Sequence, residues 1–241
     1  MKKKSFFLTI AWLLAGVIAG QNYRDDILAM NKMLLSQKNY SLQLRYDLFV
    51  DGNLSAPYEQ QDVKIVRQGS NLYMKQGAEL EVVETKNYRI LINHGNKVFS
   101  ALNKKEETES YTIRKDASEL VGLYADSIVS VFKNVKVLRE DAHTIVYECT
   151  MKPENAVAMV WVEMDKKLKM YRSLTTRYRR QRKIRELDGR LHTVTVKVYY
   201  NGFSASPAIP PTLFSDASYL VLKNGQVQGP AKRFATYNYF K

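Results

Sequence analysis

The chain has 241 residues, 37 lysines and arginines against 24 aspartates and glutamates, a formal charge of +13 and one cysteine. A lone cysteine excludes a disulfide-stapled scaffold. No paired-cysteine or H-x-x-x-H spacing, Walker loop, G-x-S-x-G or G-x-G-x-x-G is present, so zinc, nucleotide, hydrolase and dehydrogenase chemistry lack support.

Lys2, Lys3 and Lys4 precede an uncharged apolar run from Phe6 to Ala19, and the small residues Ala15, Gly16, Ala19 and Gly20 come before the polar pair Gln21 and Asn22. That layout predicts a cleaved signal peptide over 1–20 and export to the periplasm or cell envelope, with Trp12 removed and one domain over 21–241. The mature chain keeps a charge of about +10, which favours anionic partners such as a membrane surface or an acidic protein, and export argues against nucleic acid.

Ile27, Met30, Met33 and Leu34 recur at helical spacing, predicting a helix over 23–37 with Asp25 and Asp26 at its positive end. From Tyr40 to Val50 the pattern alternates, with Leu42, Leu44, Tyr46, Leu48 and Val50 on one side, before the turn Asp51-Gly52-Asn53. Short strands follow over 63–68, 71–76, 80–85, 88–93 and 97–102, and their tight links require antiparallel pairing. A polar loop over 103–110 and a second amphipathic helix over 117–133 come next. Strands resume over 135–139, 143–151, 156–164, 168–178, near 180–186 and over 191–200, with a hairpin turn at Asp188-Gly189. A proline-bearing loop over 204–211 leads to a C-terminal hairpin turning at Asn224-Gly225 and a last strand near 233–239. Cys149, among apolar neighbours on its strand, reads as a buried and inert thiol.

The strand 156–164 is apolar on both faces, with Val157, Met159 and Trp161 on one side and Ala158, Val160, Val162 and Met164 on the other. It is therefore expected to be covered twice. The fold class is mainly β (α+β): a curved antiparallel sheet or half-barrel with two or more helices packed in its concave face. So few helices could leave a groove, with Met159, Trp161, Val194, Val196, Leu44 and Tyr46 as candidate ligand-binding residues; the same residues also read as ordinary core.

The helix from Asp26 to Leu34, the alternating strand from Tyr40 to Tyr46, the long meander, the mid-chain helix and the second meander with its C-terminal hairpin occur in an order that resembles the outer-membrane lipoprotein carrier and sorting family, in its divergent Bacteroidota form. The resemblance implies a half-barrel closed by helices, with lipid or acylated protein as cargo and no cofactor. No stretch matches the family's functional arginine or its receptor's protruding loop.

His94, His143 and His192 are isolated in sequence, and Glu79 with Glu81 reads as a solvated strand pair rather than a glycosidic acid–base couple. The densest feature is Arg177, Arg179, Arg180, Arg182, Lys183 and Arg185. It reads as an anion-docking strip or as a solvated edge that discourages strand pairing. The leading function is a non-catalytic envelope carrier or chaperone for an acyl chain; the alternatives are an envelope interaction module with a basic docking strip and no ligand cavity and, last, a hydrolase whose site has no recognised motif.

Overall fold

A computed structural model describes residues 23, 25–30, 33, 36–105, 132–184 and 188–240. Helical residues lie between 23 and 36 (α1). The strands in chain order are β1 (Asn39–Val50), β2 (Glu59–Gln68), β3 (Asn71–Gln76), β4 (Leu80–Glu84), β5 (Tyr88–Asn93), β6 (Val98–Asn103), β7 (Phe132–Glu140) and β8 (Thr144–Met151). Then come β9 (Val157–Asp165), β10 (Met170–Tyr178), β11 (Arg182–Lys183), β12 (Leu191–His192), β13 (Val194–Ser204), β14 (Leu220–Lys223), β15 (Gln226–Pro230) and β16 (Asn238–Phe240). No described helix is long and apolar enough to cross a membrane.

The chain divides into two compact units, Met1–Ser36 with Tyr46–Gln60 and Ser118–Tyr199, and Gln37–Arg45 with Gln61–Ala117 and Tyr200–Lys241. β1, β2 and β13 contribute residues to both.

In the second unit the strands run in the order β16-β6-β5-β4-β3-β2. Period-two burial in β5 and β6 puts Tyr88, Ile90, Ile92, Phe99 and Ala101 on the covered face. The cover is the C-terminal segment: Tyr219, Leu220 and Phe234 are buried against that face, with the Phe234 ring 5.2 Å from Phe99 and 5.5 Å from Tyr237. Asn224 and Gly225 take φ of 50° and 75°, the left-handed pair that a two-residue hairpin turn requires. Residues 232–234 form a single 3-10 turn in place of the expected strand, and β16 pairs parallel with β6. A parallel neighbour is accessible because the segment from β6 to β16 is long enough to return the chain in the same direction.

In the first unit β13-β10-β9-β8-β7 are antiparallel neighbours. Register rows set Val198, Leu174, Val162, Tyr147 and Val137 on one face, with Val160, Cys149 and Met164 beside them. Tyr23, Ile27 and Met30, spaced four and three apart, are fully buried on α1, and the Tyr23 ring meets Tyr147 edge-on at 4.8 Å and Phe132 at 5.5 Å.

The half-barrel with two or more helices in its concave face does not form. The sheet order is linear and open, and the described residues hold one short α-helix. The physical reason is that β4–β6 obtain their cover from aromatic side chains on a hairpin and 3-10 turns, which bury apolar area as well as a helix does. The helix expected over 117–133 lies mostly outside the described residues, and its last two positions, Phe132 and Lys133, begin β7. Among the described residues β9 is not covered on both faces: Met159 and Trp161 are only half-buried, while Val160, Val162 and Met164 are buried.

Candidate functional site: a cleft beside the first helix and an arginine-bearing hairpin

The N-terminal turn of α1 and the β7–β8 and β9–β10 turns enclose a cleft of about 220 Å³. Its floor is Ile145, Tyr147 and Met164, and its rim is Asp25, Asp26, Glu140, Lys166 and Lys169. The rim is held by short polar contacts. Tyr147 donates its hydroxyl to Asp26 Oδ2 at 2.7 Å, Lys169 Nζ lies 3.3 Å from Asp26 Oδ1, and Lys166 Nζ lies 2.7 Å from Glu140 Oε1. The turns themselves are pinned by carboxylates. Asp165 accepts from the backbone N–H of Lys167 and Leu168 at 2.9 Å, and Asp141 from His143 and Thr144 at 2.8 and 2.7 Å. Those backbone donors hold both carboxyls below the usual range. Burial and then the Asp26 bond raise the Tyr147 pKa, keeping that hydroxyl a donor. Under α1, burial pushes the Cys149 thiol up to about 12, so the expected inert thiol is what the geometry provides.

The six candidate ligand-binding residues do not share a surface. Cross-strand rows pair Val196 with Thr176 and Thr176 with Val160, so Val194 and Val196 belong to the face under α1. Met159 and Trp161 occupy the opposite face, in rows with Arg177 and Thr175. There Trp161 Nε1 donates to Glu148 Oε2 at 3.0 Å, Lys136 Nζ meets Glu148 Oε1 at 2.8 Å, and the Arg177 guanidinium stands 5.7 Å from the indole centroid. This is a charged ladder, not an apolar groove. Along β1 burial alternates through Leu42 and Leu44, then changes phase so that Asp47 and Phe49 are buried and Tyr46 is half-buried. Leu44 borders a second, polar cleft of about 280 Å³ with Gln43, Asp62, Lys64 and Lys75.

The basic run splits by role. Arg179 is spent on backbone: its Nε donates to Asn155 O at 3.2 Å and its guanidinium to Lys152 O at 3.4 Å. Arg182 stacks 4.5 Å from the Tyr178 ring, and Arg180, Arg182 and Lys183 are exposed with no carboxylate partner among the described residues. Arg185 lies outside the described residues. β11 pairs with β12, opposing Arg182 to His192 and Lys183 to Leu191.

His192 is the residue that sequence reasoning missed. It is buried, with Nδ1 2.7 Å from Asp51 Oδ2 and Nε2 2.8 Å from Asp188 Oδ1. Carboxylates on both ring nitrogens demand two donors, which only the imidazolium has. The bond to Asp188 and then that to Asp51 raise the His192 pKa, and both aspartates are lowered in return. Asp51 adopts φ of 52° at the β1–β2 turn and also accepts from Thr193 N at 3.1 Å. Asp188, four residues before the histidine, was a detectable signal; Asp51, 141 residues away, was not. Among the described residues no group of three or more His, Cys, Asp and Glu is placed to hold a metal.

No family model matches the chain, and no curated protein matches it. Among solved structures, a chain of the Pseudomonas aeruginosa MucA/MucB complex is similar at 12% identity and a TM-score of 0.44, over 82% of this chain and 62% of that one. The Mycobacterium tuberculosis lipoprotein LppX is similar at 8% identity and a TM-score of 0.41, over 77% of this chain and 96% of that one. A LolA superfamily protein from Nitrosomonas europaea is similar at 9% identity and a TM-score of 0.32, over 80% and 96%. Such identities and TM-scores leave function to be argued from this chain's own residues.

Proposed function

We propose that the chain is a non-catalytic carrier of the bacterial cell envelope that shelters an apolar chain, from a lipid or an acylated protein, between α1 and the β8–β9 face. The observation that carries this is the cleft beside α1, with an apolar floor of Ile145, Tyr147 and Met164 under a charged rim. Such a site suits a ligand with a hydrocarbon tail and a polar head. At about 220 Å³ it is smaller than the roughly 300–1,000 Å³ of common ligand pockets, so a long tail enters only as α1 shifts. Met30 on α1 and Met164 beneath it are both buried, and unbranched thioether side chains repack readily around a new occupant. The driving force is burial of tail methylenes at about 0.8 kcal/mol each, with no covalent step.

The test uses brominated fatty acids, whose bromines quench indole emission on contact. Trp161 stands on the far face of β9, so its emission should stay unquenched. Met164→Trp in a Trp161→Phe background should be quenched saturably and recover on addition of an unbrominated competitor. Absence of quenching at 164, or quenching of Trp161 alone, would sink the proposal.

A further inference from the structure

The arginine-bearing hairpin and the β1–β2 turn meet in one place. Asp51 N donates to Thr193 O at 2.9 Å, and Asp51 Oδ2 meets His192 Nδ1 at 2.7 Å. The residues flanking this junction are unusual together. Leu191, 55% exposed, stands opposite Lys183 across β11–β12, and Leu54, three residues past Asp51, is 57% exposed; Arg180, Arg182 and Lys183 are exposed, with no carboxylate partner among the described residues. An edge protected only against strand pairing needs charge, and charge opposes exposed leucine. Exposed cations around exposed aliphatic side chains are instead the pattern of a surface that meets lipid phosphates and enters the interface beneath them.

We infer that the junction of the β11–β12 hairpin with the β1–β2 turn docks on an anionic phospholipid surface, with Leu54 and Leu191 entering the interface and Arg180, Arg182 and Lys183 meeting headgroup phosphates. An acidic protein partner would satisfy the cations but leave the leucines unexplained, and the leucines decide for the bilayer. His192, held between Asp51 and Asp188 with Arg190 and Thr193 alongside, keeps both leucine-bearing turns in register. Docking goes beyond the carrier reading and does not depend on it.

Co-sedimentation of the mature chain, residues 21–241, with phosphatidylcholine vesicles, with and without phosphatidylglycerol, tests the inference. The wild type should bind only the phosphatidylglycerol vesicles, and more weakly as salt rises. R180Q/R182Q/K183Q should weaken binding on the order of a hundredfold and flatten the salt dependence. L54S/L191S should weaken it with the salt slope unchanged. Both variants should melt like the wild type and keep the bromo-lipid quenching at position 164, which separates failure here from failure of the carrier reading. Equal binding to neutral vesicles, no binding to anionic vesicles at low salt, or capture of polyglutamate in place of vesicles would overturn the inference.

Discussion

His192 Nδ1 stands 2.7 Å from Asp51 Oδ2, a contact that closes 141 residues of chain and ties β12 to the turn that follows β1. With Asp188 on the other ring nitrogen at 2.8 Å, the imidazole is clamped in its charged form.

The clamp has a pH signature. The folded-state pKa of His192 is raised above its unfolded value of about 6.5, so its contribution is complete below that value and is lost as pH rises through the folded pKa. Asp51 and Asp188 are lowered, so theirs is present above about 3.9 and is lost as pH falls through their folded values. His192→Gln should therefore lower Tm by a few degrees near pH 6, and the difference should shrink in alkali. An NMR titration of the His192 ring with its midpoint at or below about 6.5 would contradict the clamp.

Tyr147 links α1 to β8 through one bond to a carboxylate. Tyr147→Phe should destabilise by about 1.5–3 kcal/mol, the usual worth of a hydrogen bond to a charged group, read as a lower urea midpoint at unchanged m. An unchanged midpoint would mean that Asp26 does not hold the helix.

The second unit predicts a contrast between two phenylalanines. Phe234 is 5% exposed among Phe99, Tyr219 and Tyr237, and Phe234→Ala should cost about 3–5 kcal/mol. Phe240 is 55% exposed, and Phe240→Ala should stay within about 0.5 kcal/mol of wild type. Equal losses in thermal melts would show that the C-terminal segment is not the cover described.

Much of this architecture was legible because alternation and turn chemistry are local. Gly69, Gly77 and the Asn224-Gly225 pair mark reversals where strands do end, and Ile27 and Met30 sit on the buried stripe of α1 as their spacing implies. What could not be read was which layer covers which face. Nothing local says that Tyr219 and Phe234 lie over Ile90 and Phe99, because aromatic residues in a turn-rich tail have no period. The Met159 and Trp161 side of β9 looked like a groove because apolar residues alternate there. Its partners Glu148, Lys136 and Arg177 come from other strands and turn it into a polar ladder. The cleft beside α1 draws on Asp26, Tyr147 and Lys169, brought together only by register.

Cys149 offers a check on how tightly α1 seats. With its pKa pushed up to about 12 by burial, the native thiol should resist iodoacetamide at pH 8 and react fully once unfolded. Rapid native labelling would mean that α1 leaves the sheet without cargo.

The carrier claim is tested most directly by native mass spectrometry of the protein purified from its own envelope fraction, before any lipid is added. The account predicts a bound species at the mass of one lipid or acyl chain, exchanged for an added fatty acid of different mass. A bare polypeptide mass from the envelope, unchanged after incubation with excess phospholipid and fatty acid, would contradict it.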